Sequence, residues 1–161
     1  MSQVIKVGMA DLNVCKAPDA LTTLGLGSCV GICLYDSVTK IAGMAHVMLP
    51  DSSQIRNNDN IAKFADTGIK ETLDRVIKLG ASKARLTAKI AGGAQMFAFG
   101  SNNDMLRVGD RNVAATKEML KKLGIPLVAE DTGLNFGRTI VFYPETGSLV
   151  ITAVGKPTKT I

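Results

Sequence analysis

The stretch Val30–Leu49, "VGICLYDSVTKIAGMAHVML", decides the architecture. Val30–Tyr35 is an apolar, β-compatible run, Asp36–Lys40 ("DSVTK") is rich in turn residues, and Ile41–Leu49 is a second apolar run closed by Pro50-Asp51. Two such runs joined by a short polar link predict a β-hairpin. Just upstream stands "LGLGSC", Leu24–Cys29. A strand needs no Gly-x-Gly-Ser-Cys at its mouth, so Cys29 invites a choice between core residue, metal ligand and nucleophile.

Outward from the hairpin, Val4–Met9 and Leu21–Leu24 read as strands, and Asp51–Asn60 as a polar loop. Ile61, Phe64, Ala65, Ile69, Leu73, Val76 and Ile77 recur at three- and four-residue steps, predicting one amphipathic helix. Asp59 or Asn60 can cap it and Gly80 ends it. Ala84–Gly93 reads as a buried strand closing in a Gly-Gly turn, and Met96–Gly109 as loop. A second helix is expected from an Asn112 N-cap to Leu123, with Val113, Thr116, Met119, Leu120 and Leu123 inward and Gly124 beyond its end. Ile125–Asp131 reads as a strand, and "RTIVFY" and "SLVITAV" around "PETG" as a second hairpin. The tail from Lys156 is expected to be loose. Together these predict one α/β (α+β) domain over residues 1–161, strand-rich, with mixed or antiparallel sheets and two main helices.

Bulk properties bound the function. A chain of 161 residues suits one domain and buries roughly 68–70% of its unfolded surface, enough to fold without disulfides or metal. Net charge is +5, from 19 basic and 14 acidic side chains, with no basic run longer than Lys121-Lys122. Scattered charge of this kind describes a solvated surface with a mild preference for acidic partners; a nucleic-acid footprint would be clustered. Aromatic residues are only 4%, which leaves few platforms for stacking bases. No apolar stretch reaches the ~18 residues of a membrane span, and "MSQVIKVGMADLN" lacks the apolar core of a signal peptide. Three cysteines in such a chain read as free thiols in a reducing cytoplasm.

His46 is the sole histidine, and a lone histidine in an apolar strand is ordinarily a satisfied core residue. The hairpin changes its prospects. With a two-residue turn, paired residue numbers sum to 75 and Cys29 faces His46 directly, with Cβ atoms ~4.5–5.5 Å apart. A four-residue loop shifts the partner by two and keeps both on one face; an odd-length loop separates the faces. An imidazole beside a thiol lowers the thiol pKa, and the thiolate then attacks a carbonyl-type carbon to give an acyl-enzyme. A third group must accept the other imidazole N–H, for which Thr23 is at hand. Gly25 and Gly27 let the chain bend and leave backbone N–H groups near Gly27, Ser28 and Cys29 free to form an oxyanion hole.

Rival readings stand beside this one. Cys15, Cys29, Cys33 and His46 can be gathered as a Cys₃His metal set, but the spacings are not those of a zinc knuckle. Cys33 shares a strand face with Cys29, as a resolving thiol or as small apolar filling. Asp66 reads as a helix-surface residue, and the adjacent Glu130 and Asp131 point to opposite faces and form no acid–base pair. "AGGA" (91–94) and Gly137-Arg138 read as turn glycines without dinucleotide or phosphate-loop spacing.

The segments "TLGLGSCVGICLYD", "GMAHVMLPDS", "KFADTGI", "AKIAGGAQMF", "GDRN" and "AEDTG" followed by "GR" occur in this order across nearly the whole chain. In them the chain resembles the CheD family, chemoreceptor glutamine deamidases of bacterial and archaeal chemotaxis. The resemblance implies Cys29 as nucleophile, His46 as base and Thr23 completing the triad, within a single α/β domain and with no metal or organic cofactor. It implies glutamine side chains in the cytoplasmic helices of methyl-accepting receptors as substrates. It also implies a CheC-type phosphatase of phosphorylated CheY as partner, a cytoplasmic location, and no nucleic-acid binding or membrane insertion. A non-catalytic adaptor binding receptor and phosphatase, or a thiol protease, would use the same surface differently. One departure is visible: relatives usually carry Gly-Gly after the Asp-Thr pair, whereas Gly133 is here followed by Leu134.

Overall fold

In the computed structural model, which describes residues 2–54, 59–95 and 107–161, the central hairpin forms as its two apolar runs and polar link predict. β4 (Val30–Asp36) and β5 (Ile41–Val47) pair antiparallel and are buried along their whole length. Strands covered on both faces read as continuous apolar runs, because neither side meets water. The covers are a second sheet on one side and two helices on the other.

The inner sheet has the order β2 (Asp11–Lys16), β5, β4, β6 (Thr87–Gly92), β7 (Leu127–Thr132). The outer sheet runs β1 (Val4–Lys6), β3 (Ala20–Leu26), β8 (Arg138–Tyr143), β9 (Ser148–Thr152), β10 (Lys159–Thr160). Both sheets are mixed: β1 with β3 and β6 with β7 are parallel, and the other pairs antiparallel. Helices α1 (Ala65–Leu79) and α2 (Val108–Leu123) close the free face of the inner sheet. Two apolar layers result. One joins Val30, Ile32, Leu34 and Ile90 to Ile69, Val76 and Leu120 of the helices; the other, between the sheets, holds Leu21, Leu26, Cys33, Met44, Ile140 and Phe142. The fold is α+β, with two helices and ten strands among the described residues.

Several expectations need correction. The helix expected from Ile61 is broken: Asn60 caps a single 3₁₀ turn, Ile61–Lys63, and α1 begins only at Ala65. Phe64 between them is extended because its neighbours bond to β5's exit, Lys63 O accepting from Met48 N–H and Ala65 N–H donating to Leu49 O. Helix α2 starts at Val108, one turn before Asn112, so Asn112 is no cap; of the expected loop, 96–106 lie outside the described residues. Asp11–Lys16, not read as a strand, forms β2 on the edge of the inner sheet. The tail is not loose: β10 pairs with β9, and Ile161 exchanges backbone hydrogen bonds with Leu149.

One buried charge fixes the hairpin's far end. Asp36 is fully buried, and Arg85 grips both its oxygens at 2.9 and 2.8 Å while the N–H groups of Ser82, Val38 and Thr39 also donate to it. Arg85 foremost, then those N–H groups, hold its carboxyl well below the usual carboxylate range, against burial. Asp36→Ala leaves these donors unpaired. Arg85 is partly exposed and screened by water, so the expected loss lies at the low end for such a site, about 3 kcal/mol in urea unfolding. Because the folded pKa is depressed, this contribution is complete above about pH 4 and is lost as pH falls further. A wild-type unfolding free energy that declines below pH 4 no more steeply than the variant's would contradict it.

Candidate active site

Asp36 faces Ile41 across the hairpin, so the loop is Ser37–Lys40, four residues long. Lys40, in the left-handed region with φ 59°, donates its N–H to Asp36 O at 2.9 Å and closes it. The direct opposition of Cys29 and His46 therefore does not form. His46 faces Gly31, Val30 faces Val47, and Cys29 lies two residues along from His46's partner on the same face of the sheet. That face looks into the layer between the sheets: a Cβ at Gly31 would come within 2.6 Å of Ile140 Cδ1 in β8.

The turn before Cys29 is held from behind. Gly93 N–H donates to Cys29 O and Ala94 N–H to Gly27 O, each at 2.8 Å. Gly92 approaches so closely that a Cβ there would lie 2.3 Å from Cys29 O. The "AGGA" segment is thus a socket for the Cys29 turn rather than an ordinary turn. Gly25, with φ 68°, takes up the bulge where β3 loses register with β8 between Thr23 and Leu26.

Thr23 and His46 are both fully buried and bonded to each other, Thr23 Oγ1 to His46 Nδ1 at 2.7 Å. The same hydroxyl lies 2.7 Å from Val7 O. A carbonyl can only accept, so the single hydroxyl proton goes to Val7 and Thr23 must accept from His46 Nδ1–H. This fixes the tautomer. Nε2 then carries the lone pair, and among the described residues it has no hydrogen-bond partner. A buried nitrogen without a partner is costly, and its lone pair is free to accept a proton.

Cys29 is 8% exposed, at the rim of the layer in which His46 is covered completely. Burial pushes its thiol up from the ordinary value, while its own backbone N–H pulls the other way. Burial pulls His46 down. The resting pair is therefore thiol and neutral imidazole, and the expected lowering of the thiol by the imidazole is absent. The physical reason is that burial disfavours both charged forms and no thiol–imidazole bond offsets it. Such a pair offers a protonated thiol and, on the same face, a neutral base able to take its proton. The other thiols are less suited. Cys15 donates to Asp19 O and is pushed up to about 11, and Cys33, sealed opposite Met44, is pushed higher still, in both cases chiefly by burial. Among the described residues no group of three or more His, Cys, Asp and Glu side chains is arranged to hold a metal, so the Cys₃His grouping is not formed.

The remaining candidates take structural partners. Asp66 accepts from Ser52 N–H and Oγ; Glu130 pairs with Lys117, and Asp131 with Arg138 and Lys159. Gly133 and Leu134 are both left-handed (φ 80° and 61°), so Leu134 occupies a conformation that favours glycine. Leu134 O still accepts from Gln95 N–H.

Two residues hold roles that the sequence reading did not give them. Asn112 is fully buried on α2 and donates from Nδ2 to both Ser28 O and Met48 O at 2.9 Å. Its four-residue spacing to Thr116 and Leu120, also buried, carried the signal for an inward face. Arg138 is buried against Asp131, Gly133 O and the Phe136 ring, tying the end of β7 to β8.

Comparison with known proteins agrees with the family resemblance found in the sequence. A family model described as CheD chemotactic sensory transduction matches residues 48–153. A "Probable chemoreceptor glutamine deamidase CheD" of Lachnoclostridium phytofermentans is 68% identical over 161 residues, 100% of both chains. A protein of the same name from Caldanaerobacter subterraneus is 56% identical, covering 99% of each chain. The "Chemoreceptor glutamine deamidase CheD" of Halalkalibacterium halodurans is 54% identical over 100% of each. The crystal structure of Bacillus licheniformis hypothetical protein YfiH is similar at TM-score 0.45 and 18% identity, over 72% of this chain and 47% of that one.

Proposed function

The chain belongs to the CheD family, and from that membership we propose that it is a chemoreceptor glutamine deamidase whose thiol chemistry is carried by Cys29, His46 and Thr23. The enzyme hydrolyses the side-chain amide of receptor glutamines to glutamate and ammonia, in chemotaxis. The observation that carries the residue assignment is the Thr23–His46 bond, whose donor order leaves Nε2 as a free base on the face shared with Cys29.

In this mechanism His46 Nε2 takes the proton from Cys29 Sγ as the sulfur attacks the amide carbon. Thiol and Nε2 are unbonded in the free protein, and such contacts tighten when substrate binds. Backbone N–H groups at Gly27, Ser28 and Cys29 face the oxygen as it becomes negative. His46 returns the proton to the nitrogen, ammonia leaves, and a thioester remains. Water then attacks that carbonyl, His46 accepting its proton, and the thiolate departs and is reprotonated. Each cycle consumes one water and releases one ammonia and one carboxylate. No step draws on a metal or organic cofactor.

The cytoplasmic helices of methyl-accepting receptors are the proposed substrates, a CheC-type phosphatase the proposed protein partner, and the cytoplasm the proposed site of action. No helix among the described residues is long and apolar enough to cross a membrane. The direct test is mass spectrometry of receptor peptides after incubation: deamidation raises the mass by about 1 Da per glutamine through the acyl-enzyme route. Intact, unshifted peptides would favour an adaptor, and cleaved ones a protease.

Thr23 offers a narrower test. Thr23→Val keeps the shape but removes the acceptor for Nδ1–H, so the imidazole loses its fixed tautomer. The expected result is a kcat lower by about 10²-fold with KM little changed. A kcat within twofold of wild type would remove Thr23 from the machinery.

A further inference from the structure

Asn112 is an expensive residue to bury in the second turn of a helix unless its amide is bonded. Both hydrogens of Nδ2 are used, on Ser28 O and Met48 O. Since both partners are carbonyls, only the NH₂ end of the side chain can face them, which settles its orientation. The two acceptors lie on the two arms of the active site. Met48 follows β5 two residues after His46 and stands level with Cys29 in the register that pairs Val30 with Val47. Ser28 O belongs to the peptide unit whose N–H is that of Cys29.

A trans peptide is planar, with its C=O and N–H pointing in opposite directions. Fixing Ser28 O therefore fixes the direction of Cys29 N–H, and a bonded carbonyl also polarises the N–H at its other end. The flanking carbonyls are held as well, Gly27 O by Ala94 N–H and Cys29 O by Gly93 N–H. Those two bonds come from the strand end beside the turn. The central one comes from α2, and through Asn112 it links the turn to the end of the strand that carries the base.

We propose that Asn112 is a positioning residue for the thiol reaction: through Ser28 O and Met48 O it sets the Ser28–Cys29 peptide so that Cys29 N–H faces the oxygen that becomes negative on attack. This rests on the deamidase reading above. It gives α2 a part in the chemistry through the backbone of the Cys29 turn.

The test separates oxyanion stabilisation from thiol reactivity. Alkylation of Cys29 by iodoacetamide displaces iodide at a saturated carbon and develops no oxyanion, whereas deamidation does. For Asn112→Ala and Asn112→Asp in the full chain, kcat for a glutamine peptide is expected to fall about 10²-fold with KM within about twofold. The alkylation rate at Cys29, read by peptide mass spectrometry, stays within about threefold and its pH midpoint does not move. Thr116→Val, one turn further along the same buried face, serves as the control and keeps wild-type kcat. An unchanged kcat, or alkylation falling in step with kcat, overturns the proposal. So does failure of both Asn112 variants to fold while Thr116→Val folds, because the role is then purely structural. Cys29→Ala is run alongside. If wild type leaves the peptide unshifted, the deamidase reading itself has failed, and if Cys29→Ala still deamidates, its thiol mechanism has; if Cys29→Ala is inactive while the Asn112 variants keep kcat, only the positioning role falls.

Discussion

Cys29→Ala is expected to release no measurable ammonia from glutamine-bearing receptor peptides, a loss of at least ~10⁴-fold relative to wild type. In the proposed mechanism the sulfur is the atom that forms the acyl intermediate. What survives its removal is binding and backbone polarisation, which accelerate amide hydrolysis only weakly without a nucleophile. The substitution removes one sulfur at a position already 8% exposed, so the fold is expected to lose only about 1 kcal/mol and the inactivity cannot be blamed on unfolding. The readout is residue-resolved mass spectrometry with circular dichroism on the same sample. Cys33→Ala is the companion variant. Its thiol is sealed in the layer between the sheets, facing Met44, and the variant keeps kcat. Deamidation by Cys29→Ala above about one per cent of the wild-type rate would reject the nucleophile assignment.

His46→Gln is expected to lower kcat by about 10²- to 10⁴-fold, the range that general-base assistance supplies. Its pH profile is the sharper signature. Burial pulls His46 below the ordinary imidazole value, so the neutral base persists to lower pH than in an exposed histidine. Wild-type kcat/KM therefore falls as pH drops through a midpoint below about 6.5, and His46→Gln lacks that limb. The same shift bears on stability. The unfolded chain takes up the proton first, so stability falls as pH drops below about 6.5 until the folded imidazole also protonates. An acid limb retained in His46→Gln would assign the titration to another group.

The parts of this protein legible in the sequence are those set by near neighbours along the chain. The Val30–Leu49 hairpin follows from two apolar runs and a polar link, and α1's end at Gly80 from a residue that readily adopts positive φ, here 130°. The resemblance carried by the Gly-Ser-Cys and Ala-His-Val segments was sufficient to name the family that the comparisons then matched. Asp11–Lys16 escaped notice because an edge strand with charged, exposed ends and only two of its six residues buried lacks a strong period. The continuous helical pattern from Ile61 concealed the break at Phe64, since apolar spacing does not report that β5's exit captures the backbone of Lys63 and Ala65.

By itself the sequence determined the fold class, the two chemically distinctive residues Cys29 and His46, and the short list of registers that could bring them to one face. Tertiary structure decided the rest. It selected the four-residue loop, and it placed Thr23 of the outer sheet against His46 Nδ1 with its proton already given to Val7. It also brought Asn112, 83 positions from Cys29 along the chain, onto the carbonyls of Ser28 and Met48. The physical reason is the range of the forces involved. Periodicity and turn chemistry act over a few residues, whereas the donor that satisfies a buried carbonyl is settled only when sheets and helices have packed and water has been excluded.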